Sequence, residues 1–399
     1  MTKQRSYSRR SFLKATGTAT AASLINPFQS RAAPLNQVGE MPTRPFGRTG
    51  ARVPVLSFGG SLSLPLLMLR QAFKLGVTYW DTAHSYLGGN SEKLIGKYLT
   101  KFPQDRSQIF LVTKSHAWTP NGMSAELEQS LQRLNTDYVD LFFVHSVGDI
   151  AELDDAKRAW AEKKKAEGKI RLFGFSTHYN METCMLGAAK LGWIDAIMMS
   201  YNFRLMHGDE MKRAVAACAE AGIGLTAMKT QGGGSLRTGT RTEGELVERL
   251  LQKGFTDAQA KLKMVWENPH IASICSEMPN MSILMANVAA ALNQAQLNSG
   301  DRRRLRRFAH ETRSDYCSGC TRICEATLDG RAPVGDIMRH LMYWRSYGDR
   351  HRAQAFFDRL SPERRIEIAA QDYEVVERSC PQQMAIGRLV RQALKEFCA

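Results

Sequence analysis

The sequence lacks any run of roughly 18 consecutive apolar residues, the length a helix needs to cross a bilayer. It has no internal repeat and no low-complexity linker, which argues against a solenoid or a propeller. No G-x-G-x-x-G turn follows the first strand-like segment; only the pair Gly59-Gly60 stands there. That absence weighs against an open, doubly wound dinucleotide-binding sheet. Only one C-x₂-C pair occurs among the eight cysteines, whereas a four-cysteine zinc site favours two. Acidic residues are missing altogether from residues 1–33, which carry six basic ones.

What is present is 399 residues, 43% of them apolar, enough for a large barrel with additions. The net charge is +15, and +9 without the first 33 residues. The one dense basic run is Arg302, Arg303, Arg304, Arg306 and Arg307. No base-stacking aromatic pattern surrounds it, so it reads as a solvated helix face and not as a nucleic-acid surface.

The first residues combine a charged start, a modestly apolar stretch (Ala15–Ile25) and a small-residue end, Ser30-Arg31-Ala32. These are the three parts of an export signal. The segment Ser8-Arg9-Arg10-Ser11-Phe12-Leu13-Lys14 resembles the twin-arginine (Tat) motif. The resemblance implies Tat machinery as a partner and a periplasmic or otherwise exported destination. It also implies transport in the folded state, with any cofactor already in place. An uncut signal would tether the protein, and a basic amphipathic anchor is the competing reading.

From Arg44 to Leu292 apolar strands alternate with amphipathic helices. After a small hairpin come the strand-like segments PVLSFGG, VTYWDTA, IFLVTK, VDLFFVH, IRLFGFS, IDAIMMS, IGLTAMK and IASICS. Helices are expected at 64–75, 91–99, 124–134, 152–167, 181–191, 209–221, 243–266 and 283–292. Continuous apolar strands separated by such helices indicate a parallel sheet covered by helices. Eight of them predict an α/β fold of the closed (β/α)₈ TIM-barrel type over residues 44–292.

In such a barrel the chemistry gathers at the carboxyl ends of strands. Asp81 ends the second strand, Tyr86 follows in its loop, Lys114 ends the third and His145 the fourth. A lone acid or lysine at a strand end is usually a salt bridge; four such groups on consecutive strands share one rim. The segments RPFGRTGARVPVLSFGG, GVTYWDTAHSY, LVTKSH, YVDLFFVH and GKIRLFGFST are similar to aldo-keto reductases. The resemblance implies carbonyl reduction or alcohol oxidation of a small molecule with NADP(H) or NAD(H), and it maps the family's catalytic tetrad onto Asp81, Tyr86, Lys114 and His145. Tyrosine has a pKa near 10, and a lysine ammonium beside it is expected to bring that value down. Tyr86 would then serve as general acid or base, Asp81 would hold Lys114, and His145 would orient the carbonyl oxygen. The alternative is a tetrad kept but idle.

At the cofactor site the resemblance places Ser176 on the nicotinamide carboxamide. Thr177 replaces an asparagine, and Met198 a glutamine. Met228-Lys229 replaces a stacking aromatic. Lys229 reaches a phosphate, an acidic substrate or only solvent. Asn287 matches an adenine-side asparagine. Glu277 has the wrong sign for the extra phosphate of NADPH.

Beyond a polar, basic joint at 293–314, residues 315–399 form a cysteine-bearing extension with helical spacing at 334–347, 353–360 and 366–376. Cys317, Cys320 and Cys324 form C-x₂-C-x₃-C, and Cys380-Pro381 follows. The set resembles ferredoxin-type [4Fe–4S] ligation with one spacing a residue long. Some aldo-keto-reductase barrels carry an iron–sulfur extension of this kind, which implies a redox partner protein. Zinc and disulfides compete, the latter because the expected destination is oxidising. Tyr343-Trp344 is expected to pack on the barrel or to shield a cluster.

Overall fold

The computed structural model describes residues 40–233, 241–293 and 295–398. The expected Tat signal, 1–33, lies outside the described residues. A short antiparallel hairpin comes first, β1 (Thr43–Pro45) and β2 (Arg52–Pro54). The barrel then runs β3 (Leu56–Gly59), α1 (Leu66–Lys74), β4 (Tyr79–Asp81), α2 (Asn90–Lys101), β5 (Phe110–Ser115), α3 (Pro120–Leu134), β6 (Val139–Val144), α4 (Asp155–Ala166) and β7 (Ile170–Thr177). It continues through α5 (Met181–Leu191), β8 (Ala196–Ser200), α6 (Asp209–Glu220), β9 (Gly224–Met228), α7 (Arg241–Gln252), α8 (Asp257–Trp266), β10 (Ile271–Glu277) and α9 (Met281–Leu292). Strands β3 to β10 pair in parallel, and β10 closes on β3. The fold is the (β/α)₈ barrel that the sequence pattern predicts.

The hairpin plugs the amino-terminal end of the barrel. Phe46 is fully buried there and meets Tyr79 and Phe110 edge-on. A β-carbon on Gly224 would sit 2.8 Å from the Phe46 ring, so only glycine fits at the start of β9. The Arg44 guanidinium donates to the carbonyls of Trp266, Asn268 and Ile271 at 2.5, 2.9 and 2.7 Å. These acceptors belong to the turn entering β10, so the hairpin also braces barrel closure.

The expected single helix over 243–266 is two helices. Thr256 accepts from the Gln259 N–H while Gln259 reaches back to the Thr256 N–H, a capping box that starts α8. Gly254, at φ +75°, carries the chain around the corner. Residues 299–311, within the expected joint, form helix α10 (Ser299–Glu311). Its Leu305 and Phe308 are buried, and Arg303, Arg306 and Arg307 face outward. The basic run is therefore the solvated side of a packed helix.

The extension consists of α11 (Thr321–Thr327), α12 (Val334–Tyr347), α13 (Arg350–Phe357), α14 (Pro362–Ala369), α15 (Glu374–Ser379) and α16 (Ile386–Cys398). Two of the expected helical stretches are placed differently. Asp349 caps a helix that starts at Arg350, and the 366–376 stretch breaks into α14 and α15. Its core holds Ile337, Leu341, Phe357, Val376, Val390 and Phe397. On α16 the positions Ile386, Leu389, Val390, Ala393 and Phe397 are buried at helical spacing. Burying each large apolar side chain is worth about 1.5–3 kcal/mol, so this stripe suffices to dock the last helix.

Candidate active site and cysteine cavity

Register brings the tetrad to one rim. Asp81 pairs with Gly59 on one side and Val112 on the other, and Lys114 with Phe143. Beyond the strands, His84 N–H donates to the Lys114 carbonyl and His145 N–H to the Ser115 carbonyl, at 2.9 and 2.8 Å. Asp81 and Lys114 are buried, and Lys114 Nζ donates to Asp81 Oδ1 at 2.5 Å and to the Thr82 carbonyl at 2.8 Å. The same Nζ lies 4.9 Å from the centre of the Tyr86 ring. Tyr86 meets the His145 ring edge-on at 5.5 Å, and His116 stacks on His145 at 4.0 Å.

The loop that presents Tyr86 is built for the purpose. Leu87, Gly88 and Gly89 all have positive φ. A β-carbon on Gly89 would sit 2.5 Å from the Arg133 guanidinium carbon. Arg133 donates to the His84 carbonyl and pairs with the buried Glu92, which also accepts from Thr113 at 2.6 Å. The left-handed backbone at Gly89, φ +89°, favours glycine there and lets the loop close against Arg133.

Electrostatics differ from the sequence expectation at one point. Burial, with the Asp81 charge adding to it, pushes the Tyr86 phenol well above its ordinary value. Lys114 is committed to Asp81 and to a carbonyl, so its charge is already compensated. Burial likewise raises Asp81, opposed by Lys114. His145 is pushed well below the usual imidazole range by burial, then by Lys114 and His116. At neutral pH the site presents a protonated phenol and a neutral imidazole. The buried Nδ1 of His145 has no hydrogen-bond partner among the described residues.

The four residues expected at the cofactor lie farther along the barrel, at the end of β7 and after β9 and β10. Ser176 is buried and accepts from the Ser146 N–H at 3.1 Å. Thr177 donates to the Tyr179 carbonyl at 2.8 Å. Asn287 donates to the Ser276 hydroxyl at 3.0 Å. Lys229, at φ +56°, raises its ammonium to 4.7 Å from the ring centre of Tyr343. Met198 points into the barrel core. Trp118 is exposed, while Tyr201 is buried and accepts from the Asn268 amide at 2.8 Å.

Tyr343 and Trp344 divide between two surfaces. Tyr343 faces Lys229 on the barrel, and Trp344 packs edge-on against Phe397 inside the extension. The extension also brings Arg339 and Arg352, for which the sequence held no signal. Arg352 stacks 4.0 Å over the Tyr343 ring and lies 3.9 Å from Glu277 at the end of β10. Arg339 lies 4.2 Å over the Tyr179 ring. Asn180, after β7, is the seat of the cysteine loop: its N–H donates to the Gly319 carbonyl and its side chain accepts from the Arg322 N–H, both at 2.9 Å.

Cys317, Cys320, Cys324 and Cys380 all line one cavity of about 360 Å³, walled by Val334, Met338, Met384 and Ile386. None of the four is in a disulfide. Burial pushes Cys317 up to about 11 and Cys324 up to about 12. Among the described residues no group of three or more His, Cys, Asp or Glu is placed to hold a metal ion. Cys184 and Cys218 are buried in the barrel core.

A closed (β/α)₈ barrel with Asp, Tyr, Lys and His on one rim defines a class. The profile of the aldo/keto reductase family matches residues 64–295, and the chain belongs to that family. It is 43% identical over 110 residues to methylglyoxal reductase YeaE of Escherichia coli K12, a match covering 27% of this chain and 37% of that protein. It is 31% identical over 174 residues to L-galactose dehydrogenase of Arabidopsis thaliana, covering 39% of this chain and 54% of that protein. The chain thus spans only part of the length of these curated relatives. In structure it resembles a Klebsiella pneumoniae aldo/keto reductase in complex with NADP and acetate, with a TM-score of 0.56 and 26% identity over 68% of this chain and 96% of that one. The family profile ends before the extension begins.

Proposed function

We propose that this protein interconverts a small carbonyl compound and its alcohol at the barrel rim, with NADP(H) as the hydride source. The observation that carries the reading is the buried Lys114–Asp81 pair 4.9 Å from the Tyr86 ring centre, with His145 against that ring's edge. NADP(H) is what the Klebsiella relative holds. In this chain Ser176 and Asn287 offer polar contacts and Lys229 a cation, a donor set that suits an amide and phosphates. When bound, the reduced cofactor would supply a hydride to the carbonyl carbon. His145, neutral, donates to the carbonyl oxygen and fixes its direction. Tyr86 keeps its proton until negative charge develops on that oxygen, then gives it up from Oη, because an alkoxide is the stronger base. The Lys114 ammonium steadies the resulting phenolate, and water reprotonates it. Tyr86→Phe with undiminished carbonyl turnover would overturn this assignment.

We also assign a [4Fe–4S] cluster to Cys317, Cys320, Cys324 and Cys380. The fit rests on their shared, largely apolar cavity and on thiols that burial keeps protonated without a metal charge. Such a cluster supplies one-electron transfer, which calls for a redox partner protein. Anaerobic purification tests it: brown protein with about four irons and four sulfides supports the cluster, and a colourless, iron-free protein sinks it. The Tat-like segment extends the proposal to export into the periplasm. A reporter fused after residue 40 should cross the inner membrane only with Arg9 and Arg10 intact.

One observation favours a second reading. Tyr343 lies over Lys229, close to where the family places its nicotinamide. An extension held there would leave the barrel fed by the partner through the cluster, without dissociable nicotinamide. Bleaching of the brown colour by NADPH would decide for the first reading.

A further inference from the structure

We propose that the cavity between the ends of β7, β8 and β9 and helix α12 binds a small oxyanion, a carboxylate or a phosphate group, held by Lys229 and Arg339 together with His178 and Ser200. The cavity encloses about 410 Å³ of space, open solvent included, and Cys317 also lines it. Its two charged lining residues are both cations, and no Asp or Glu lines it. The nearby acids are engaged elsewhere: Asp336 accepts from the Tyr179 hydroxyl, and Glu325 from the Gly335 N–H at 2.9 Å.

Neither cation has a carboxylate within ion-pair distance among the described residues. Lys229 meets the rings of Tyr343 and Tyr347 and hydrogen-bonds the Tyr343 side chain, contacts that offset a charge without pairing it with an anion. Its backbone sits at φ +56°, a region that disfavours side chains, and its carbonyl is held there by the Asn202 amide at 3.1 Å. Arg339 makes one long contact to the His178 carbonyl, 3.4 Å, and its buried Nε has no hydrogen-bond partner. His178 Nδ1 and the Ser200 hydroxyl are 2.8 Å apart, a polar pair on the same wall. The field of the cations is visible on Tyr343: burial works against ionisation, yet Lys229, Arg352 and Arg339 hold its phenol below the ordinary value. A half-buried cluster of cations, with a spare donor on Arg339, suits an oxyanion.

Two sources share this chemistry: the carboxylate of an acidic substrate and the phosphates of a dinucleotide. Calorimetric titration of the intact, anaerobically purified protein with oxalate and with inorganic pyrophosphate separates them. Tighter binding of oxalate marks a substrate carboxylate, and tighter binding of pyrophosphate a dinucleotide. Lys229→Met or Arg339→Met should weaken the better probe at least about tenfold, as loss of a charge-assisted hydrogen bond does. Arg339→Lys, which keeps the charge, should keep part of the binding and so separates loss of the site from misfolding. No binding of either probe, or binding indifferent to both methionine variants, overturns the proposal. The readout is heat and not turnover, so failure of the carbonyl chemistry leaves this site standing.

Discussion

A β-carbon on Gly319 would lie 2.1 Å from the backbone oxygen of His178, and Gly319 has φ +81°. The loop that carries three of the cysteines is thus pressed backbone to backbone against the rim of the barrel. Gly319→Ala must overcome both the left-handed backbone, about 1–2 kcal/mol, and the overlap. The expected outcome is a loosened extension: faster proteolysis between 315 and 399 and loss of any bound iron, with the barrel's own unfolding little changed. Proteolysis followed by mass spectrometry checks it.

Tyr86 and Lys114 should separate chemistry from stability. Tyr86 is half-buried on a loop and makes no described hydrogen bond through its hydroxyl, so Tyr86→Phe should alter stability by less than about 0.5 kcal/mol. Carbonyl turnover should fall by roughly 10²–10⁴-fold. Lys114→Met leaves Asp81 buried without its partner and should cost about 3–5 kcal/mol as well as activity. The double change Asp81→Asn with Lys114→Met should recover part of that stability and none of the turnover. Urea titration beside a steady-state assay distinguishes these outcomes.

Acid should unfold this protein through its histidines. Burial holds His145 and His178 well below the usual imidazole range and lowers His340 and His207 to about 4. A histidine whose folded value is depressed contributes full stability above the unfolded value, about 6.5. It loses that contribution as pH falls from there toward the folded value. Each such group adds a slope of about 1.4 kcal/mol per pH unit within its window. Unfolding free energy measured in urea should therefore decline steeply between about pH 6.5 and 4. His340→Phe, stacked on Phe356 at 4.2 Å, should flatten the decline.

The cysteines should fall into two groups. Cys380→Ser should abolish iron binding and destabilise the extension, since Cys380 lines the cavity together with the other three. Cys398→Ser, near the end of α16, should leave the iron content unchanged. Iron and sulfide assays on both variants suffice.

The barrel was legible because parallel strands are buried on both faces and read as unbroken apolar segments, while their helices show one apolar stripe. The shared rim of Asp81, Tyr86, Lys114 and His145 was legible because three of them fall at the ends of consecutive strands and Tyr86 follows in the loop after the first. The break at Gly254–Thr256 could have been read from the capping box with Gln259, but the apolar spacing runs on through it. The helix breaks of the extension followed the same pattern at Asp349. The environment of Tyr86 was not legible: the sequence places Lys114 nearby but does not say that Asp81 and the Thr82 carbonyl already satisfy it. Nor were Arg339, Arg352 and the fit of Gly319 on His178, because these contacts join segments far apart in the chain and leave no local pattern.

The hairpin with Phe46 seals one end of the barrel, and this has a kinetic consequence. A ligand of Tyr86 then enters at the opposite rim, beside the seam that Tyr343 and Arg352 form with Lys229 and Glu277. The residence time of a ligand then depends on how often that seam opens as well as on how tightly the rim grips. A change in the extension far from Tyr86 can slow turnover with every reacting group still in place.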